Sequence, residues 1–193
     1  MNLKELIQKN RSYRRFDGKY KISEKTLLDL IELARFSACG RNAQSLKYIV
    51  CNKQEVKDQI FPCLSWAGYL TGWSGPEPDE RPTAYIIVLH DRSISEKYYC
   101  DDGIAMQNIL LGAVEKGLGG CILRSFNRSR MMEILNLTDH YEILDVVALG
   151  KPAETVVVDP LPENGDTRYW RDKHGVHHVP KRSVEELVIA KLV

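Results

Sequence analysis

A turn near the start of the chain concentrates groups that can hold an anion. Residues 10–16 read Asn-Arg-Ser-Tyr-Arg-Arg-Phe, so three guanidiniums and a serine hydroxyl surround one bend. A guanidinium is a planar fork of donors that stays charged at any working pH, and a serine hydroxyl can approach a phosphate oxygen closely. The pattern predicts a phosphate site. A basic turn that caps an N-terminal helix has the same composition and is the commoner arrangement.

Composition narrows what such a site could serve. The 193 residues hold 27 Lys plus Arg and 26 Asp plus Glu, a net charge of +1, so no global field favours nucleic acid or an anionic membrane as a partner. No apolar run approaches the ~20 residues of a membrane helix, and residues 1–5 lack the layout of a signal peptide. We therefore expect a cytoplasmic, single-domain protein spanning residues 1–193.

Two other groups of reactive side chains, the cysteines and a run of histidines, do not indicate a catalytic or metal site. The five cysteines are widely spaced and form no C-x-x-C pair, so they read as reduced thiols. The run His174-Gly175-Val176-His177-His178 could suggest a metal site, but no cysteine and only loop carboxylates accompany it. We interpret it as part of a surface tail and predict no metal.

Hydrophobic periodicity indicates helices and strands interleaved along one α+β domain. The segment 104–114 is apolar nearly all round, so it is expected to be a helix buried through the middle of the fold. Residues 151–193 form a C-terminal extension that ends in an amphipathic helix over 183–191. The other predicted elements are a short N-terminal helix, helices beginning near 23, 54 (to about 70) and 127, and strands over 46–51, 84–89, 121–123 and 143–149.

The loop over 72–82 contains three prolines and two glycines and cannot be a regular element. Trp66, Tyr69 and Trp73 lie beside it and are candidates for a lid over a binding pocket. Because their spacing also matches one face of a helix, ordinary core packing is an equal alternative.

Four segments together resemble the FMN-dependent nitroreductase family. Arg11-Ser12-x-Arg14-x-Phe16 looks like the family's opening signature, and residues 37–46 resemble its Pro-Ser-x-x-Asn-x-Gln-Pro-Trp stretch. Residues 102–108 and the glycine-rich exit at 117–119 resemble its long central helix, and residues 180–187 resemble its basic C-terminal signature. Each segment is weak alone, but their order and spacing favour the phosphate interpretation of the arginine turn.

The resemblance implies an α+β fold with a mixed central sheet flanked by helices. It also implies a homodimer with flavin sites at the subunit interface, and a C-terminal extension, residues 151–193, that wraps around the partner subunit. A central helix that is apolar on all sides would then be covered partly by the second subunit.

Carried over by position, the resemblance also assigns cofactor-binding residues. Arg11 and Ser12 would contact the FMN phosphate and ribityl chain, Lys181 and Arg182 would close on the phosphate, and Arg14 would lie toward the pyrimidine edge of the flavin. From the partner subunit, the residues that would approach the ring are Cys39, Gly40, Asn42 and Gln44. The backbone around Leu123 and Arg124 would line the flavin.

Several positions depart from the family pattern. Asn10 stands where a second arginine is frequent, so one phosphate contact is missing or is made by Arg15. Ala38-Cys39 replaces Pro-Ser, and Ser45-Leu46 replaces Pro-Trp, which changes the shape of the pocket. Arg41 is an unusual charge within the second segment, and our hypothesis is that it binds an anionic substrate, the electron acceptor.

The function that the resemblance implies is transfer of a hydride from NADH or NADPH through bound FMN to a small acceptor, such as a nitro compound or a quinone, by a ping-pong mechanism. No catalytic side chain is required, because the flavin is the redox centre. The alternatives are a flavin-binding carrier or sensor without turnover, a flavin-dependent reductive dehalogenase, and a flavin-fragmenting enzyme, since one fold hosts several functions.

Overall fold

The computed structural model describes residues 1–193, which form six α-helices and seven strands. The helices are α1 (Leu3–Lys9), α2 (Glu24–Arg35), α3 (Gln54–Ile60), α4 (Asp101–Glu115), α5 (Arg128–Ile134) and α6 (Val184–Leu187). The strands are β1 (Leu46–Cys51), β2 (Ala84–Asp91), β3 (Gly119–Leu123), β4 (Tyr141–Gly150), β5 (Val156–Pro160), β6 (Trp170–Arg171) and β7 (His177–Lys181). No helix has the length and apolar character needed to cross a membrane.

The central sheet has the strand order β1-β2-β4-β3, and every neighbouring pair is antiparallel. The α+β class with flanking helices is confirmed, but the strand directions differ from the expected mixed sheet. The helix α4 connects β2 to β3, which run parallel to each other, yet β4 lies between them and opposes both. Parallel pairing occurs in a second, three-stranded sheet, β5-β7-β6, and at a single bridge between Ser12 and Gly120.

The strand β2 is buried along its whole length, because helices cover both faces of the sheet. Alternate side chains enter two cores: Ala84, Ile86 and Val88 pack with α2 and α4, and Tyr85 and Ile87 pack on the opposite side. A strand covered on both faces must be apolar at every position, which explains its continuous hydrophobic run.

The helix α4 confirms the prediction of a buried central helix. Its buried positions lie on more than one face and include Ala105, Met106, Ile109 and Ala113. At Gly112 an added Cβ would overlap the side chain of Leu33, so a glycine permits the close approach of α2 to α4.

Two predicted helices are shorter in the structure. The helix expected over 54–70 ends at Ile60, and Phe61–Cys63 continues only as a 3-10 turn that contains Pro62. The C-terminal helix expected over 183–191 is a single turn, Val184–Leu187, and residues 188–193 are exposed. A helix this short is marginal unless its apolar face packs against something, and within this chain nothing covers that face.

The C-terminal extension is not one continuous arm. Residues 156–181 build the small sheet and fold against their own chain, as shown by the contacts of Tyr169 with Arg14 and of Arg171 with Trp73. Residues 182–193, which follow β7, are exposed, so the segment predicted to wrap around a partner would lie within them.

Candidate functional site

The arginine turn is held along the edge of the central sheet. The helix α1 begins with a capping box between Asn2 and Glu5 and ends at Asn10, so the chain turns where the basic residues start. Tyr13 N then donates to Gly120 O at 3.0 Å. A Cβ at Gly119 would lie 2.5 Å from the Tyr13 ring, so the glycine-rich exit of α4 allows the turn to lie directly on β3.

A buried carboxylate joins the turn to the C-terminal sheet. The side chain of Glu154 is 1% exposed, and its Oε1 accepts hydrogen bonds from the backbone N–H groups of Arg14 and Arg15. Its Oε2 accepts from Arg171 at 3.0 Å. A buried anion needs such partners, and here they fix the backbone of the arginine turn.

A cavity of about 330 Å³ opens between the turn, α4 and the C-terminal sheet. It brings together residues from five distant segments of the chain. Its lining consists of Asn10, Arg11, Ser12, Arg14, Gln107, Leu110, Ile122, Tyr169, His177, Val179 and Lys181. Four of the residues that the resemblance assigned to FMN therefore lie around one cavity.

The side chain of Arg14 is held by three groups in the wall of this cavity. Its guanidinium lies over the Tyr169 ring, 4.7 Å from the centroid, and its Nη1 donates to Ser12 O at 3.2 Å. The same Nη1 lies 3.2 Å from His177 Nε2. Burial, reinforced by Arg14 and Arg171, lowers the pKa of His177 to about 4, so the imidazole is neutral at pH 7 and its Nε2 can accept from Arg14.

Other donors in this region lack partners. Arg11 Nη2 donates to Ile7 O at 2.8 Å, but its Nε is buried without a hydrogen-bond partner. His177 Nδ1 is likewise buried and unpaired. Buried donors are normally satisfied, so unpaired ones beside a cavity indicate a ligand with acceptor oxygens or nitrogens.

The second segment of the family resemblance, residues 37–46, lies in a different part of the fold from the first cavity. Gly40–Asn42 forms a 3-10 turn in which Arg41 and Asn42 have left-handed φ values of 56° and 54°. Gly40 N donates to Asp101 Oδ1 at 2.8 Å, and Cys39 and Gln44 line a separate cavity of about 270 Å³.

The two cavities share one helix but not one face of it. Asp101 and Ala105 of α4 line the second cavity, and Gln107 and Leu110 line the first. At about 100° per residue, Ala105 and Gln107 point about 160° apart around the helix axis. Within one chain the residues 39–44 therefore do not meet Arg11, Ser12 and Lys181.

Three residues that the resemblance assigned to FMN have side chains that pack or pair outside the first cavity. Leu123 is buried in the core, and its neighbour Ile122 lines the cavity instead. Arg124 pairs with Asp145 at 2.8 Å and with Asp102 at 2.7 Å, and Arg182 pairs with Glu186 at 3.0 Å. Arg15 does not replace the contact missing at Asn10, because its guanidinium pairs with Glu80.

The nitroreductase family model matches residues 7–68 and 78–151, which include the arginine turn, the central helix and the central sheet. The chain belongs to the nitroreductase family. The unmatched residues 69–77 fall mostly within the proline-rich loop.

Solved structures share the fold of this chain. A nitroreductase family protein from Clostridium novyi NT is 25% identical, with a TM-score of 0.67 over 79% of this chain and 87% of the other. A family protein from Clostridium difficile 630 is 19% identical, with a TM-score of 0.71 over 100% of both chains. A nitroreductase structure from Exiguobacterium sibiricum 255-15, in complex with FMN, is 16% identical, with a TM-score of 0.70 over 85% of this chain and 95% of the other.

Sequence reasoning missed several residues that line the first cavity of this nitroreductase family member. Gln107 and Ile122 lie within segments whose hydrophobic pattern predicted only a helix and a strand, respectively. Tyr169 and His177 lie in the C-terminal stretch, where His177 was interpreted as part of a surface tail although it is 1% exposed. The short segment 177–181, His-His-Val-Pro-Lys, does not alternate apolar and polar residues, so no local pattern indicated the strand β7.

Of the three aromatic residues beside the proline-rich loop, Trp66 is buried and Tyr69 is exposed. Trp66 is buried in the core beside Phe61, with ring centroids 5.9 Å apart, so the packing interpretation is confirmed for it. Tyr69 is exposed and its ring lies 5.0 Å from that of Tyr169.

Proposed function

We propose that this chain is an FMN-dependent oxidoreductase that transfers a hydride from NADH or NADPH to a small acceptor. The observation that carries the proposal is the convergence of Arg11, Ser12, Arg14 and Lys181 around one cavity in a chain of the nitroreductase family. The FMN complex of the Exiguobacterium sibiricum structure, which shares the fold, supports the choice of cofactor.

The donor set fits the phosphate of FMN. A phosphate monoester carries a charge near −2 and three strong acceptor oxygens. Arg11 and Lys181 supply two cations from opposite ends of the chain, and Ser12 supplies a hydroxyl. The unpaired Nε of Arg11 is a donor that a phosphate oxygen would satisfy.

Arg14 and Ile122, which also line the cavity, would hold the isoalloxazine ring. A guanidinium near the pyrimidine edge favours negative charge there and so raises the reduction potential. Arg14 is well placed for this role because Ser12, Tyr169 and His177 restrict its orientation. When bound, FMN would supply the hydride chemistry itself, and the chain's own residues bind and orient it.

The proposed assembly is a homodimer in which residues 39–44 of the partner complete each site. Two observations support it. Residues 39–44 lie apart from the first cavity within one chain, and apolar side chains are exposed on the surface near α1, α2 and the C-terminus. These side chains include Leu3, Phe36, Leu187, Ile189 and Leu192. The hypothesis that Arg41 binds an anionic acceptor depends on this assembly and stays a prediction.

The decisive experiment is the visible spectrum of the purified protein before and after NADH or NADPH is added under nitrogen. We expect flavin absorption that bleaches with one of the two nucleotides and returns when a quinone or nitroaromatic acceptor is added. Flavin that neither nucleotide reduces would favour the carrier or sensor alternative. A protein that cannot be loaded with FMN would contradict the proposal.

A pair of matched variants tests the phosphate contacts. Lys181→Gln should weaken FMN binding about tenfold or more, because a hydrogen bond to a charged group contributes about 1.5–3 kcal/mol. Arg182→Gln removes the same charge from the neighbouring residue, which pairs with Glu186, and should change FMN binding much less. Titration of the apoprotein with FMN, followed by flavin fluorescence, measures both, and equal losses would contradict the assignment of Lys181.

A further inference from the structure

A small polar cavity of about 140 Å³ lies between α3, the end of the proline-rich loop and the turn at Gly18. It shares no lining residue with either cavity described above. Its lining consists of Gly18, Gln54, Lys57, Asp58, Phe61, Pro78, Arg81, Pro82, Thr83 and Tyr85.

Two donors in this cavity, on Arg81 and Thr83, have no protein acceptor. Arg81 lies over the Phe61 ring, 3.9 Å from the centroid, and its Nε is buried without a hydrogen-bond partner. The hydroxyl of Thr83, a residue that is 5% exposed, is also buried and unpaired. An unsatisfied buried donor costs free energy, and two of them in one small cavity indicate that an acceptor belongs there.

Two cations, Lys57 and Arg81, and one carboxylate, Asp58, line the cavity, and this net positive charge favours an anion. Burial lowers the pKa of the Lys57 ammonium, and the nearby charge of Lys21 acts in the same direction, against the opposing effects of Cys51 and Asp58. Of the nearby carboxylates, Asp58 has a neutral partner and keeps its charge, whereas Glu80 pairs with a cation outside the cavity. Asp58 Oδ1 accepts from Gln54 at 2.7 Å, and Glu80 pairs with Arg15.

The volume of the cavity limits the size of the ligand that it can hold. Pockets for nucleotide-sized or drug-sized ligands have volumes of about 300–1,000 Å³, and a water molecule occupies about 30 Å³. A cavity of about 140 Å³ therefore accommodates a tetrahedral oxyanion with a few waters, but not FMN or NAD(P)H.

We propose that this cavity is a binding site for a small tetrahedral oxyanion, phosphate or sulfate, held by Arg81, Thr83 and Lys57. The site is independent of the proposed function. Asp58 also lines the cavity, and its side chain lies on the α3 side with Gln54 as its partner.

The ligand would connect three segments that are distant in sequence. Gly18 N donates to Asp79 O at 2.9 Å, and a Cβ at Gly18 would lie 2.5 Å from that oxygen, so the turn and the loop already meet closely. An oxyanion bridging Lys57 to Arg81 would add a link from this pair to α3. It would stabilise the end of the loop that interrupts the family match.

Thermal unfolding of the FMN-loaded protein tests the site, with FMN in excess so that the cavity at Arg11 is occupied. Inorganic phosphate and sodium sulfate are each titrated at constant ionic strength, with chloride as the balancing anion. We expect a saturable rise in Tm of about 2 °C or more with phosphate or sulfate, because a ligand that binds the native state stabilises it by mass action. No rise beyond that in chloride would overturn the proposal.

Substitutions inside and outside the cavity test whether the rise in Tm comes from binding at this site. Thr83→Val keeps the shape of the side chain but removes the hydroxyl, and Arg81→Gln removes a half-buried cation. Either change should abolish most of the shift, and Arg81→Gln serves if Thr83→Val does not fold. Lys53→Gln removes an exposed charge at the start of α3, outside the cavity, and should leave the shift intact. If the rise in Tm survives in Arg81→Gln, or if Lys53→Gln removes it equally, the anion acts by general screening of charge. If Lys181→Gln removes the rise in Tm, the anion binds at the other cavity. Each of these results rejects the site.

Discussion

Arg14 Nη1 and His177 Nε2 lie 3.2 Å apart although 163 positions separate the two residues. The contact ties the arginine turn to β7, the strand that also carries Lys181 into the same cavity. It requires a neutral imidazole, because a protonated His177 would present a second cation to the guanidinium. The orientation of Arg14 is therefore set by the C-terminal sheet, and this relationship supports two predictions.

Replacement of His177 should change how the protein binds and tunes FMN. In His177→Phe the acceptor for Arg14 is lost, and we expect FMN to bind about fivefold more weakly, as the loss of one hydrogen bond of about 1 kcal/mol predicts. The flavin reduction potential should shift as well, because the charge beside the ring is less well positioned. Fluorescence titration measures the first quantity and spectroelectrochemistry the second.

The control for this prediction is His177→Gln, whose amide oxygen can reach the position of Nε2. It should restore both FMN affinity and potential most of the way. If the Gln and Phe variants behave alike, His177 contributes only to packing and its assigned role in positioning Arg14 is wrong.

His177 should also make stability depend on pH. Its pKa is lowered to about 4 in the folded protein, mainly by burial, from 6.5, so the unfolded chain binds the proton more readily. The free energy of unfolding should therefore fall as pH decreases from 6.5 toward 4, with a slope that approaches about 1.4 kcal/mol per pH unit from this residue. Urea unfolding at pH 7 and pH 5.5 should show this loss in the wild type, and His177→Gln should show about 1 kcal/mol less of it. Equal losses would assign the acid sensitivity to other groups.

The ion pairs of Arg124 are expected to stabilise the fold. Asp145 is completely buried in β4 and Asp102 is buried in α4, and both pair with Arg124, whose side chain is 66% exposed. Arg124→Gln leaves two buried carboxylates without a cation. Removal of one partner of a fully buried pair costs about 3–5 kcal/mol, but solvent screens an exposed guanidinium, so we expect about 2 kcal/mol.

Urea unfolding measures this loss, and Arg92→Gln is the matched control. Arg92 pairs with Glu142, and both side chains are substantially exposed, so its loss should change the free energy of unfolding by less than about 0.5 kcal/mol. A similar effect in the two variants would mean that burial of the carboxylates does not decide the strength of the pair.

Deletion of residues 184–193 tests the proposed dimer. None of the deleted side chains belongs to the buried core, and Ile189 and Leu192 are 98% and 97% exposed. We expect the shortened chain to stay folded by circular dichroism and its dimer dissociation constant to rise at least tenfold, since burial of two such side chains contributes about 1.5–3 kcal/mol each. Sedimentation velocity over a concentration series provides the measurement.

The double variant Ile189→Ser, Leu192→Ser keeps the chain length and should reproduce most of the loss. Dimer affinity that is unchanged in both variants would show that the C-terminal residues do not contact a partner subunit.

The elements that were predicted correctly are those with a strong local pattern. The apolar run of α4 and the continuous hydrophobic strand β2 were identified because burial on several sides requires apolar residues at nearly every position. The helix over 54–70 was predicted too long: the α-helix ends at Ile60, a 3-10 turn with Pro62 follows, and Trp66 is buried in the core.

For the site, the sequence by itself determined which chemistry was available: three arginines and a serine in one turn, and a lysine and an arginine near the C-terminus, a set suited to a phosphate. Tertiary structure decided which of these groups meet and what holds them. His177, Val179 and Lys181 line the cavity because alternate residues of β7 point to one side, whereas Arg182 lies beyond the strand and pairs with Glu186. His177 and Tyr169 reach Arg14 because β7 pairs with β5 and β6 beside the turn. Local patterns report burial and conformation, whereas contacts between distant segments depend on strand order and direction, which no local pattern contains.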